Sequence, residues 1–286
     1  MRGNMATLEI TTRVGCKNAC SYCPQEALVK AYQGRGGAAV MPFDLFKRCL
    51  DQVPKTVRID FSGMAEPWLN EACTEMVRYA HQAGFVIAVY TTLVGMGPED
   101  IALLQGIPFA RFEVHLPDAE GMTKIKVSDG YLALLRQVLA SGISELNFMT
   151  IGRLHPAVAE VIGSRKVHEN TVIDRAGNLS DFPGVTRCRP LTGIVRCQSC
   201  GDRFNHNVLL PNGEVILCCM DYGLRYPLGN LAEDGYEALF STPTCRDLQQ
   251  RLNDDRQELL CRYCHNAARS RWNFLPGAAW VRRLFW

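Results

Sequence analysis

Thr7-Leu-Glu-Ile-Thr-Thr-Arg-Val-Gly-Cys-Lys-Asn-Ala-Cys-Ser-Tyr-Cys-Pro24 sets the interpretation of the whole chain. Residues 7–14 alternate as a strand does. One step later Cys16, Cys20 and Cys23 follow with C-x3-C-x2-C spacing. Three thiolates do not close a structural zinc site, which takes four protein ligands. They do suffice to hold a 4Fe–4S cluster with one iron left open, and an open metal position is where chemistry takes place. The plainer alternative is three buried thiols acting as small hydrophobes, or part of a zinc knuckle. A second motif weighs against it.

That motif follows the next strand-like run, Thr56-Val-Arg-Ile-Asp-Phe-Ser62, which leads into Gly63-Met-Ala-Glu-Pro67. Together the two motifs resemble those of the radical S-adenosylmethionine (SAM) enzymes. The resemblance implies that the open iron chelates the methionine part of SAM. Cleavage of SAM then gives a 5′-deoxyadenosyl radical that abstracts a substrate hydrogen. It also implies that Tyr22, just before the third cysteine, lies near the adenine. The Gly63 backbone and Glu66 are implied to hold the amino group, since an ammonium wants carbonyl and carboxylate acceptors. Met64 departs from the family's second glycine, a change that backbone contacts tolerate.

With 286 residues and 47% hydrophobic content, the chain can bury a full core. A net charge of +2 from 31 basic and 29 acidic side chains leaves no basic stripe, which argues against nucleic acid as a partner. No apolar run is long enough for a membrane span, and Met1–Ala6 has no signal core. Thirteen cysteines without such a signal point to metal chemistry in a reducing compartment, with cytoplasm as the expected location.

Strand-like runs at 7–14, 56–62, 85–91, 110–116, 144–150 and 170–174 alternate with helical patterns at 43–53, 70–83, 98–105, 128–141 and 154–162. Asp44 after Pro42, Asn70, Pro98 and Ser128 supply helix-start signals. The alternation predicts α/β architecture with parallel strands, here a partial (β/α)6 barrel over about 1–180. Both motifs then fall at carboxyl ends of strands, where such barrels place their sites. A small C-terminal module is expected over 181–270. In it, Pro211-Asn-Gly213 turns a hairpin, and helices follow at 233–241 and 243–252. The aromatic stretch 271–286 reads as a tail packed on its own barrel, or as a docking segment.

Cys200, Cys218, Cys261 and Cys264 form a second set. They resemble the ligands of the twitch domain, a shortened SPASM domain that binds one auxiliary 4Fe–4S cluster. Cys197-x2-Cys200 with Cys261-x2-Cys264 also reads as a four-cysteine zinc ribbon. Cys197 can stand in for Cys200, and Cys219 for Cys218. Cys49, Cys73 and Cys245 fall in helical patterns as structural thiols, and Cys188 has no evident role.

The resemblance further implies SAM contacts from Thr91 and Thr92 at the third strand's end, and from Asn147 at the fifth. His115, ending the fourth strand, is a candidate proton acceptor. Arg175, in Asp174-Arg-Ala-Gly-Asn178, offers a fork for a carboxylate. The implied activity is radical oxidation of a small polar alcohol of sugar or aminocyclitol type, with the auxiliary cluster accepting an electron. The other implied activity is modification of a ribosomal peptide by crosslinking, epimerisation or maturation. The absence of an N-terminal peptide-recognition domain favours the first. Either requires an electron donor such as flavodoxin or ferredoxin. A barrel that only binds iron–sulfur or zinc is the non-enzymatic alternative.

Overall fold

The computed structural model describes residues 5–179, 181–185, 188–200 and 203–269. The aromatic stretch 271–286 lies outside the described residues. Six strands repeat the expected parallel alternation: β1 (Thr7–Ile10), β2 (Arg58–Phe61), β3 (Ile87–Thr91), β4 (Arg111–His115), β5 (Leu146–Ile151) and β6 (His168–Asn170). Between and before them run α1 (Gln25–Gln33), α2 (Phe43–Asp51), α3 (Cys73–Gln82), α4 (Pro98–Leu104), α5 (Asp129–Ala140) and α6 (Pro156–Ile162). Later come β7 (Val195–Cys197), β8 (His206–Leu209), β9 (Glu214–Ile216), β10 (Pro227–Asn230), α7 (Pro243–Asn253) and β11 (Ala267–Arg269).

Alternation along each strand separates two faces. Leu8, Ile10, Ile59, Phe61, Phe112 and Val114 are essentially inaccessible and pack with the helices in the main core. The opposite face carries Glu9, Arg58, Asp60, Tyr90, Arg111 and Glu113. These charges are paired: Arg58 grips Asp60 through two hydrogen bonds of 2.6 and 2.7 Å, and Arg111 pairs with Glu113. Asp60 and Glu113 thus keep their counter-ions inside the fold, whereas Glu9 is held by Ser62 and Cys219, and burial, then Asp60, push its carboxyl up to about 7.

The C-terminal hairpin forms as expected, with Gly213 in the left-handed region at φ 86°. It does not stand apart from the barrel. β8 pairs in parallel with β1, so one nine-stranded sheet runs β10-β9-β8-β1-β2-β3-β4-β5-β6. A second, two-stranded ladder pairs β11 with β7.

Several local expectations are revised. The first strand ends at Ile10 rather than residue 14, because Arg13 leaves the sheet to bridge Val40. The sixth lies at 168–170, so Arg175 follows it in a turn. Residues 236–241 form a 3-10 helix, not the α-helix read over 233–241. Helix α1 escaped the sequence reading, although Leu28 and Tyr32 one turn apart form its buried face. Ser128 and Pro98 start their helices as expected.

Asn70 does not cap α3. It sits between a 3-10 turn (Pro67–Leu69) and that helix. Its amide donates to the Thr12 and Met41 carbonyls at 3.1 and 2.9 Å and accepts from the Ala72 N–H at 3.0 Å. It thus ties three segments beneath the site. Asn70→Leu strands these buried groups and is expected to cost about 3 kcal/mol in urea unfolding. An unchanged midpoint would refute that role.

Candidate metal and cofactor site

The cysteine loop leaves β1 and turns through Gly15 (φ 90°) and Ala19 (φ 43°). All thirteen cysteines are free, and Cys16, Cys20 and Cys23 are half-buried. A half-buried thiolate needs donors, and each of the three sulfurs has them. Burial pushes the Cys16 thiol up, while the N–H groups of Glu66 and Asn18 donate to its sulfur and pull it down. Burial raises Cys20 to about 11, opposed by the Tyr22 hydroxyl and the Lys124 N–H. Cys23 receives the Gln25 amide at 3.4 Å and faces the Tyr222 hydroxyl at 3.7 Å. Donors on every sulfur suit thiolates that ligate iron.

The loop after β2 closes beneath. Gly63 has φ 55°, and a Cβ there would come within 2.7 Å of the Thr11 backbone, so only glycine fits. Gln25 links the two loops: it accepts from the Cys16 N–H at 3.2 Å and donates to the Met64 carbonyl at 2.5 Å. The sequence reading missed it.

Glu66 is buried, and burial raises its carboxyl pKa. Four donors oppose this. Thr91 Oγ1 (2.7 Å) and Trp68 N–H (3.3 Å) serve one oxygen; Thr92 N–H and Oγ1 (both 2.6 Å) serve the other. Asn18 in turn donates to Thr92 Oγ1 at 2.7 Å. The hydroxyl protons of Thr91 and Thr92 are therefore directed at Glu66, not at a ligand. Asn147 stands near the amino end of β5, donates to the Glu145 carbonyl at 2.7 Å, and is not part of this group.

Tyr22 is buried, stacks on His115 with centroids 5.9 Å apart, and shares a 3.1 Å hydrogen bond with its Nε2. Burial, then the nearby Arg175 charge, lower His115 to about 4, so the ring is neutral at pH 7. Arg175 adopts φ 51° and lies within electrostatic reach of Tyr222, Cys23, Cys219 and Tyr22. A cavity of about 250 Å³ is lined by Tyr22, Met149, Asn170, Ile173, Arg175 and His265.

The β7–β11 ladder brings the two C-x2-C segments together. Cys200 interacts with Cys197, Cys218 and Cys261, and Cys264 lies near Cys197. A hydrogen bond from Cys200 makes Cys197 the more acidic of that pair. Five cysteines thus surround four expected ligand places. Among the described residues no three His, Cys, Asp or Glu side chains converge tightly enough for one metal ion. No helix among them is long and apolar enough to cross a membrane.

The family model for SPASM, an iron–sulfur cluster-binding domain, matches residues 200–265. Among solved structures the chain is similar to BtrN in complex with AdoMet and 2-DOIA, at 16% identity, 93% and 95% coverage of the two chains and TM-score 0.62. It is similar to Streptococcus suis SuiB bound to precursor peptide SuiA, at 11% identity, 92% and 71% coverage and TM-score 0.60. It is also similar to anSMEcpe with bound AdoMet, at 13% identity, 84% and 78% coverage and TM-score 0.52. No curated protein matches. The chain therefore has the fold of radical SAM enzymes with SPASM or twitch domains.

His115 gives a test. Its folded pKa lies below the usual 6.5, so between pH 6.5 and about 4 the unfolded chain binds the extra proton. Stability is expected to fall as pH drops through that window, by at most about 3 kcal/mol. His115→Gln should flatten this part of a urea-unfolding pH profile, and an equally steep profile in the variant would contradict the assignment.

Proposed function

We propose that the chain is a radical SAM enzyme that oxidises a small polar alcohol of sugar or aminocyclitol type. In this reading Cys16, Cys20 and Cys23 hold a 4Fe–4S cluster and Cys200, Cys218, Cys261 and Cys264 hold an auxiliary one. When bound, the first group with SAM supplies a carbon radical able to abstract hydrogen, and the auxiliary cluster supplies a one-electron acceptor. An external donor of flavodoxin or ferredoxin type delivers the starting electron.

The protein's own residues have separable tasks. Thr91, Thr92 and Asn18 fix the Glu66 carboxylate beside Cys16, where an ammonium meets negative charge. The Gly63–Glu66 loop offers carbonyls to the same group. Arg175 offers a cation to a carboxylate or an oxygen-rich substrate. Tyr22 walls the cavity and supplies Cys20 with a donor, and His115 hydrogen-bonds the Tyr22 hydroxyl from behind.

The observation that carries the reading is the position of the cavity. Both Tyr22 of the first cysteine loop and His265, next to Cys264, line it. A substrate there meets residues of both cysteine segments, so in this reading hydrogen loss and electron loss have separate outlets. The volume of about 250 Å³ suits a small molecule. The near-equal coverage with BtrN, whose structure contains AdoMet and 2-DOIA, agrees. Peptide modification is the second reading, favoured by the likeness to SuiB bound to SuiA.

Iron and sulfide analysis of anaerobic protein tests the assignment. About eight irons per chain should fall to about four when Cys16, Cys20 and Cys23 are changed to Ala. The wild type, given SAM and a low-potential reductant, should release 5′-deoxyadenosine. One zinc at the second site would remove the electron acceptor and with it the oxidation reading.

A further inference from the structure

The five residues Cys218–Tyr222 touch both cysteine sets. Cys218 faces Cys200 and Cys261 of the second set. The Cys219 thiol hydrogen-bonds the Glu9 carboxylate in the barrel interior. Asn178 donates to the Met220 carbonyl at 2.9 Å. The buried Asp221 carboxylate accepts from the N–H groups of Arg225 and Tyr226 at 2.9 and 2.8 Å, and the Asp221 N–H donates to the Cys218 carbonyl at 3.0 Å. This is a braced turn, with its backbone fixed at both ends.

Tyr222 is the end that reaches the first set. It is 4% exposed and packs with Val14, Leu28, Met64 and Leu224 in a satellite core under the cysteine loop. Its hydroxyl lies 3.7 Å from Cys23 Sγ, within hydrogen-bond range for sulfur. Among the described residues that sulfur is its only hydrogen-bond partner. A phenol O–H facing a ligand thiolate donates and withdraws charge from the sulfur. Hydrogen bonds to cluster sulfurs are among the factors that set reduction potential, because they favour the more negative, reduced state.

We propose that Tyr222 is a positioning residue through which the SPASM domain raises the reduction potential of the metal group at Cys16, Cys20 and Cys23. This rests on the iron–sulfur reading of that triplet. The bond couples two parts of the chain: the same short turn that places Cys218 at the auxiliary site places the Tyr222 hydroxyl at the catalytic one. An auxiliary site that loses its metal would release one end of that turn.

The test is a redox titration of the full, anaerobically loaded chain, followed by electron paramagnetic resonance. The signal that responds to added SAM identifies the first cluster. Tyr222→Phe should leave iron content and melting temperature as in the wild type and shift the first midpoint potential negative. Replacement of Tyr222 by 3,5-difluorotyrosine keeps the shape and strengthens the donor, so it should shift the midpoint positive. That second variant decides the matter if Tyr222→Phe loads poorly. Unchanged midpoints in loaded variants, or shifts of the opposite sign, overturn the proposal while leaving the cluster reading intact. Wild-type iron that is indifferent to loss of Cys16, Cys20 and Cys23 overturns both.

Discussion

Negative charge on three half-buried sulfurs is tolerable only where N–H and O–H groups turn toward them, and much of this structure serves that need. The donors come from far apart in the chain: Asn18 and Tyr22 in the loop itself, Gln25 at the start of α1, Glu66 after β2, Lys124 after β4 and Tyr222 in the C-terminal module. Each is delivered by the carboxyl end of a strand or by a segment braced against one. The parallel sheet is what lets them converge, because it turns all these ends to one side. Gly63 is one of the tight points, since the approach of its backbone to Thr11 leaves no room for a Cβ.

The same demand explains why Glu66 is so firmly held. A carboxylate next to a thiolate is unfavourable unless its own charge is neutralised by hydrogen bonds, and four donors do so. Its backbone N–H faces Cys16. Thr91 and Thr92 therefore fix the Glu66 side chain in place.

Much of the architecture was legible because it is written in local spacing. The cysteine triplet, the Gly63–Pro67 segment, the alternation of strands with helices, and the Pro211-Asn-Gly213 turn need only near neighbours to be read. Contacts that depend on the fold were not. Gln25 meets Met64 across 39 positions, Asn18 meets Thr92 across 74, and Tyr222 meets Cys23 across 199. Asn147 illustrates a subtler failure. Its parity along β5 does place it on the polar inner face opposite Glu113, but depth along the strand is invisible to a period-two pattern. Helix α1 was hidden because the reading stopped at the cysteines and Pro24.

The pairing of β8 with β1 bears on how the chain is made. Thr7–Ile10 leaves the ribosome well before its partner His206–Leu209, which emerges only after the six-stranded array. Until then β1 presents an open row of backbone groups beside the apolar side chains of Leu8 and Ile10. So distant a partner slows completion of the sheet and exposes a sticky edge during synthesis. A chain truncated before His206 is left with that edge open, a row of unpaired backbone donors and acceptors of the kind that invites pairing between chains.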